Sequence, residues 1–284
     1  MEVSASEVQA RYSLPWGRWT LRGTAVSYLF FMIVLPLAVI FRTGVGGGVD
    51  EFWAALTGPI ALAALKLTLG LAVVTTLINT VMGTLTAYIL VRIRFPGRRA
   101  LDWLIDMPFA IPTLVTGLML VVLYGPQGIA GAWLQSRGFQ VIFAQPGIVL
   151  ALLLVTYPFV VRSAQPGLME LERDQEEASY TMGASRWTTF WKVIFPGILP
   201  AILTGALLTF ARAIGEFGSV VIVAGNIPGR TLTAPVHVYG LIESDNPIGA
   251  SAVSILLLGI SFAMILAVDW LQGKGVKWDG ARQS

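Results

Sequence analysis

Arg212 and Glu216 stand four residues apart in a stretch, Val193 to Gly225, that carries no other charge. On a helix they share a face and can pair. Ionisable groups in so apolar a setting line a pathway or neutralise one another. Two readings stay open: Arg212 supplies positive potential to a passing anion while Glu216 restrains it, or the two form a permanent structural tie at a subunit interface. Gly215 and Gly218 flank Glu216 and weaken the helix there, either exposing backbone N–H groups to an anion or letting a neighbouring helix approach closely. Elsewhere the charged residues read more plainly. Asp102 and Asp106 are expected to pair with Arg98 or Arg99, Lys66 to snorkel toward a membrane surface, and His237 to be an ordinary surface residue of an outer loop.

Several chemistries are excluded. The chain has no Cys and one His, which removes disulfides, thiolate sites and His-pair metal motifs. The Gly46-Gly47-Gly48 cluster is not followed by Gly-Lys-Ser/Thr, so it is no phosphate-binding loop and the chain is not its own ATPase. No nucleophile with an adjacent base and no catalytic carboxylate pair falls in the apolar stretches, which argues against an intramembrane enzyme. Nothing resembles a channel filter. The expectation is a non-catalytic chain that holds no metal or cofactor of its own.

The elements that must position these residues are membrane helices. Of the 284 residues 55% are hydrophobic and 12% charged, about half the charge frequency of soluble domains, and the mean hydropathy is +0.73. Spans are expected at Gly23 to Phe41, Leu67 to Val91, Leu101 to Tyr124, Gly138 to Val161, Val193 to Ala211 with a continuation to about Gly225, and Asn246 to Val268. The third carries Pro108 and Pro112 and should be kinked. The first has too long an apolar run for a signal peptide and is expected to be retained. Phe52-Trp53-Ala54-Ala55-Leu56, between the first two spans, suits an interfacial helix. No internal repeat marks an inverted-repeat transporter.

Orientation follows from Lys and Arg in alternate loops. One side holds Arg11, Arg18, Arg22, Arg92, Arg94, Arg98, Arg99, Arg162, Arg173, Arg186, Lys192, Lys274, Lys277 and Arg282; the other holds Arg42, Arg137 and Arg230, a division of 14 to 3. The positive-inside rule then places both termini in the cytoplasm. The expected organisation is a cytoplasmic segment 1–23, a six-helix domain 24–270 with its main cytoplasmic loop at 163–196, and a cytoplasmic tail 271–284. With a helix starting near Pro196, Arg212 lies about 24 Å along it, past the bilayer centre toward the outer side. A net charge of +3, scattered over several short segments, gives no nucleic-acid surface.

The cytoplasmic loop from Arg162 to Lys192 is long for this chain and carries Glu170, Glu172, Asp174, Glu176 and Glu177. Leu168, Leu171, Ala178 and Met182 fall at helical spacing and suggest one apolar stripe beside a charged face. Gly183 interrupts it. Trp187, Phe190, Trp191 and Ile194 then form a second short amphipathic stretch leading to Pro196, which suits the first turn of the next helix.

Glu177-Ala178-Ser179, three residues, Gly183, nine residues, then Val193-Ile194-Phe195-Pro196 resembles the EAA loop of binding-protein-dependent ABC importer permeases. The departures from Glu-Ala-Ala…Gly…Ile-x-Leu-Pro are mild: Ser179, Val193 and Phe195. The resemblance extends from about Leu67 to Val268. Asp106 to Thr113, Tyr157 to Arg162, Phe210 to Val220 and Ala224-Gly225-Asn226 look like the T-type permease of sulfate/thiosulfate importers, with molybdate/tungstate permeases the alternative.

The resemblance implies an all-α polytopic fold of six transmembrane helices with type I importer architecture in the bacterial inner membrane. It implies that Glu177, Ala178, Ser179, Gly183 and Pro196 belong to a coupling element docked on a dimeric ABC ATPase, which alone binds ATP and Mg. Glu177 would pair with a basic residue of that ATPase, and Gly183 would bend the chain between two short helices. Arg212, Glu216, Ser219 and Asn226 are the substrate-path candidates. The further partners implied are a second, homologous permease, an extracytoplasmic sulfate-binding protein and membrane lipid.

Overall fold

The computed structural model describes residues 15–171 and 173–280. The expected N-terminal segment up to residue 14, with Arg11, and the chain end from 281, with Arg282, lie outside the described residues, as does Glu172. Among the described residues all regular elements are helical. They are α1 Pro15–Leu29, α2 Leu35–Val45, α3 Val49–Thr57, α4 Pro59–Arg92, α5 Arg98–Ala110, α6 Thr113–Tyr124, α7 Ile129–Gln135, α8 Gln145–Glu170, α9 Arg173–Thr181, α10 Arg186–Thr189, α11 Phe195–Ile214, α12 Gly218–Val223, α13 Ala234–Glu243 and α14 Pro247–Gly280.

Among the described residues five stretches are long and apolar enough to cross a membrane: Trp19–Val45, Pro59–Arg92, Gln145–Glu170, Arg186–Ile214 and Pro247–Trp270. The expected third span is a sixth crossing only as a bent pair. Instead of one kinked helix, α5 and α6 meet at 111°. Pro112 is the cause: the residue before a proline is pushed out of the helical region, and Ile111 is extended at φ −86, ψ 124. The fourth span is shifted from its expected start at Gly138 to Gln145. Gly138 and Phe143 have positive φ and turn the chain, Pro146 opens the helix, and α8 then continues past Arg162 to Glu170.

Two crossings contain a π-helical turn, at Phe30–Val34 and Phe190–Ile194, and each is followed two residues later by a proline, Pro36 and Pro196. Proline lacks an N–H and its ring clashes with the carbonyl four residues back; widening the preceding turn lets the helix run on. Pro196 therefore does not begin a new helix. It lies near the start of α11 within a continuous crossing that begins at Arg186.

α8 packs between α4 and α11, and α14 lies against α11, α2 and α13. Gly83 on α4 lets Val160 and Val161 of α8 close in: a Cβ there would stand 2.8 Å from the Val160 Cβ. Buried apolar clusters run the length of the bundle, with Ala87, Leu90, Ile105, Val161, Leu168 and Ile198 at the end that bears the 162–192 loop. α3 confirms the short helix read around Phe52–Leu56, with Trp53 exposed and Leu56 buried.

Candidate functional site

α11 stops at Ile214 because Gly215 enters the bridge region at φ −89, ψ 4. The expected continuation to Gly225 becomes a separate short helix, α12. Glu216 sits in the break and is 2% exposed. Its Oε2 accepts from the Arg212 guanidinium at 2.6 Å, while its Oε1 accepts from the Ser219 N–H at 2.8 Å and the Ser219 hydroxyl at 2.7 Å. Both carboxylate oxygens are thus occupied. That makes the pairing of Arg212 with Glu216 a fact of the fold, with Ser219 as a third member and the carboxylate capping the new helix. The Arg212 side chain remains 33% exposed.

The break is held by close backbone approach. α12 packs on α6, and a Cβ on Gly117 would stand 2.7 Å from the Ser219 carbonyl oxygen. Glu216 itself lines a small cavity of about 10 Å³ together with Thr68, Ile148, Val220 and Thr233, and the buried Thr233 hydroxyl is unpartnered. Such a space holds roughly one water. An oxyanion does not fit there, so an anion could meet this centre only at the exposed third of Arg212. Asn226 is not brought into it. It lies beyond the far end of α12 in a left-handed conformation (φ 54), donating to the Val221 carbonyl.

The second set of residues forms a helical hairpin at the opposite end of α11. α9 ends in a two-bond turn: the Gly183 N–H donates to the Tyr180 carbonyl at 2.9 Å and the Ala184 N–H to the Ser179 carbonyl at 3.1 Å, with Gly183 at φ +83. Ser185 then caps α10 through the Thr188 N–H. The Ser179 hydroxyl, 7% exposed, meets that of the buried Thr189 at 3.0 Å and ties α9 to α10. Glu177, Ala178, Ser179 and Gly183 are therefore one unit. Glu177 and Ala178 are exposed, as are Met182 at 84% and Trp187 at 70%. Pro196 lies outside this unit, beyond the π turn.

The single apolar stripe from Leu168 to Met182 is not formed. The helix breaks at Leu171, so Leu168 is buried in the bundle while Ala178 and Met182 face outward. Phe190 and Trp191 instead build an aromatic cluster with Trp187 and Phe195, and Phe190 meets Tyr88 of α4 edge-on at 6.0 Å.

Two ion-pair systems were not read correctly from the sequence. Asp102 and Asp106 do not pair with Arg98 or Arg99. Arg162 takes both: its Nε and Nη2 hold Asp106 at 2.7 and 2.5 Å, and its Nη1 holds Asp102 at 2.8 Å and Gln165 at 2.6 Å. The Arg162 fork, crossing from the neighbouring α8, engages both carboxylates with charge-assisted hydrogen bonds in place of the partners available within α5. The second pair, Arg92 with Glu176, gave no sequence signal, since 84 positions separate the residues. His237 is half-buried on α13 rather than a surface residue, and burial holds its imidazole below the ordinary histidine range.

Residues 79–274 match the family of binding-protein-dependent transport system inner membrane components. The chain is 43% identical over 262 residues to the probable sulfate transport system permease protein cysT of Nephroselmis olivacea, covering 92% of this chain and 91% of that one. It is 38% identical over 267 residues to the sulfate transport system permease protein CysT of Escherichia coli (strain K12), covering 94% and 96%. Among solved structures, a chain of a bacterial alginate ABC transporter, crystallised with an alginate pentasaccharide-bound periplasmic protein, superposes with a TM-score of 0.76 at 16% identity, over 89% of this chain and 92% of that one.

Proposed function

The chain belongs to the family of binding-protein-dependent transport system inner membrane components, and we propose that it is the membrane-spanning permease subunit of an ATP-driven importer that carries sulfate. Both curated relatives are sulfate permeases over nearly the whole chain, which favours sulfate over molybdate or tungstate. Thiosulfate, of the same shape and charge, is a second cargo of the same class.

The observation that carries the reading is the α9–α10 hairpin. It hangs between two membrane crossings, is braced from behind by Ser179–Thr189 and Arg92–Glu176, and turns Glu177, Met182 and Trp187 outward. A projection that exposes an acidic group, Glu177, beside the large side chains of Tyr180, Met182 and Trp187 suits docking in a cleft of a cytoplasmic ATPase, whose closure would move the crossings as a packed unit. ATP and Mg would be bound by a dimer of that ATPase. The hairpin side is then cytoplasmic, and six crossings return both chain ends to it, as the distribution of Lys and Arg requires.

Sulfate would arrive from an extracytoplasmic binding protein and cross between this chain and a second, homologous permease. Arg212 supplies positive potential to the path and Glu216 with Ser219 fixes its position. Asn226, on the loop after α12, is a path candidate set apart from that centre.

The docking claim is tested by copurification. Glu177→Lys and Gly183→Pro should release the ATPase from detergent-extracted membranes or lower its hydrolysis, because one reverses the exposed charge and the other forbids the positive φ. Normal recovery and hydrolysis in both variants would remove the hairpin from the mechanism.

A further inference from the structure

The polypeptide joins the α9–α10 hairpin directly to α8 and α11, but not to α4. Only non-covalent contacts reach that helix. Arg92, in the last turn of α4, places its guanidinium 2.5 Å from Glu176 of α9, and these side chains are only 10% and 13% exposed. The same Nη2 donates at 3.3 Å to the Leu171 carbonyl, one of the groups left without an intrahelical partner where α8 ends. One guanidinium thus meets the ends of two crossings and the first helix of the hairpin. One helical turn earlier on α4, Tyr88 packs edge-on against Phe190 beyond the hairpin.

Leu171 carries the connection further. It packs on α11 at Gly197, where a Cβ would stand 2.8 Å from the Leu171 Cδ1. Glu176 differs from its neighbour Glu177, which is exposed and free to meet a partner. Of the two adjacent carboxylates, one is turned inward and held by this chain's own arginine.

We infer that Arg92 and Glu176 form a strap that makes α4 move with the hairpin, and are therefore positioning residues that couple ATPase closure to anion translocation. The inference rests on the proposed docking of the hairpin. Without the strap the hairpin would still dock and still be pulled by the ATPase, but its motion would reach α4 only through the packing of α4 on α8 and α11, with no direct tie from the hairpin to the end of α4. Both side chains are largely buried, so losing one partner leaves the other without compensation.

The test uses the complete complex in proteoliposomes with Arg92→Gln, Glu176→Gln and the exchange Arg92→Glu with Glu176→Arg. Copurified ATPase, ATP hydrolysis and labelled sulfate uptake are measured on the same preparations. Each single variant should retain the ATPase and hydrolyse ATP, while sulfate moved per ATP falls about fivefold or more, the low end of ordinary coupling energies. The exchange variant should regain most of that ratio. Unchanged sulfate per ATP in the singles, or an exchange no better than they are, would overturn the strap. Failure of both singles and the exchange to assemble would assign the pair to folding alone and overturn it equally. If the natural complex itself fails to retain an ATPase, the docking claim fails rather than the strap.

Discussion

Removing Arg212 alone should harm this protein more than removing Arg212 and Glu216 together. Glu216 is 2% exposed, and its carboxylate is compensated by one guanidinium contact at 2.6 Å and two donors from Ser219. Arg212→Gln deletes the opposing charge, the only one paired with Glu216 among the described residues. Breaking a buried pair from one side costs roughly 3–5 kcal/mol, and the lower end applies because Ser219 keeps donating and one third of Arg212 already meets its surroundings. Glu216→Gln leaves a partly exposed cation and should cost about 1–2 kcal/mol. In the double glutamine variant no buried charge remains, and its cost should fall to roughly 1 kcal/mol. Thermal inactivation of the detergent-solubilised complex, read by size-exclusion recovery, ranks the three. Uptake is then measured only on variants that assemble. Sulfate uptake lost in the stable double variant despite continued ATP hydrolysis assigns Arg212 to the path. An Arg212→Gln variant as stable as the double would refute the electrostatic argument, and normal uptake by the double would leave the pair a structural tie.

Gly117→Ala should destabilise by about 1–3 kcal/mol, because the new methyl meets Ser219 backbone. Gly70→Ala, with nothing within 4 Å, should be neutral or stabilising, and equal melting of the two variants would count against close α6–α12 packing. His237 is held below its ordinary value of 6.5 by burial, so as pH falls the unfolded chain takes up the proton first. Its stabilising contribution is full above that value and is lost as pH drops through the depressed one. Unfolding compared at about pH 8 and about pH 5 should show a larger loss for the natural chain than for His237→Asn; identical losses would contradict this.

The parts of the fold governed by neighbours in sequence were legible. The Arg212–Glu216 pair follows from helical spacing, the bend at Gly183 from the EAA-like pattern, and α3 from a Trp-bearing segment between glycines and a proline. What depended on distant partners was not. Arg162 looked like the end of a span, yet it is a helix-interior residue, because Asp102 and Asp106 arrive from 60 and 56 positions away to neutralise it. The Arg92–Glu176 pair is invisible for the same reason. Pro196 read as a helix start because a π turn, which sets no simple periodicity, absorbs its clash. The 111° turn at Pro112 exceeds what a proline kink alone prepares one to expect, and the turned α6 is seated on α12 where Gly117 meets the Ser219 backbone, a partner too distant in sequence to read.

The central claim is that this chain moves sulfate across a membrane at the expense of ATP hydrolysed by a separate subunit. Proteoliposomes holding the assembled permease pair and ATPase, with ATP enclosed and sulfate-loaded binding protein outside, test it in one measurement. The account predicts accumulation of labelled sulfate that requires internal ATP and is suppressed by excess unlabelled sulfate but not by equal molybdate. Accumulation without ATP, or uptake of molybdate with none of sulfate, would contradict it.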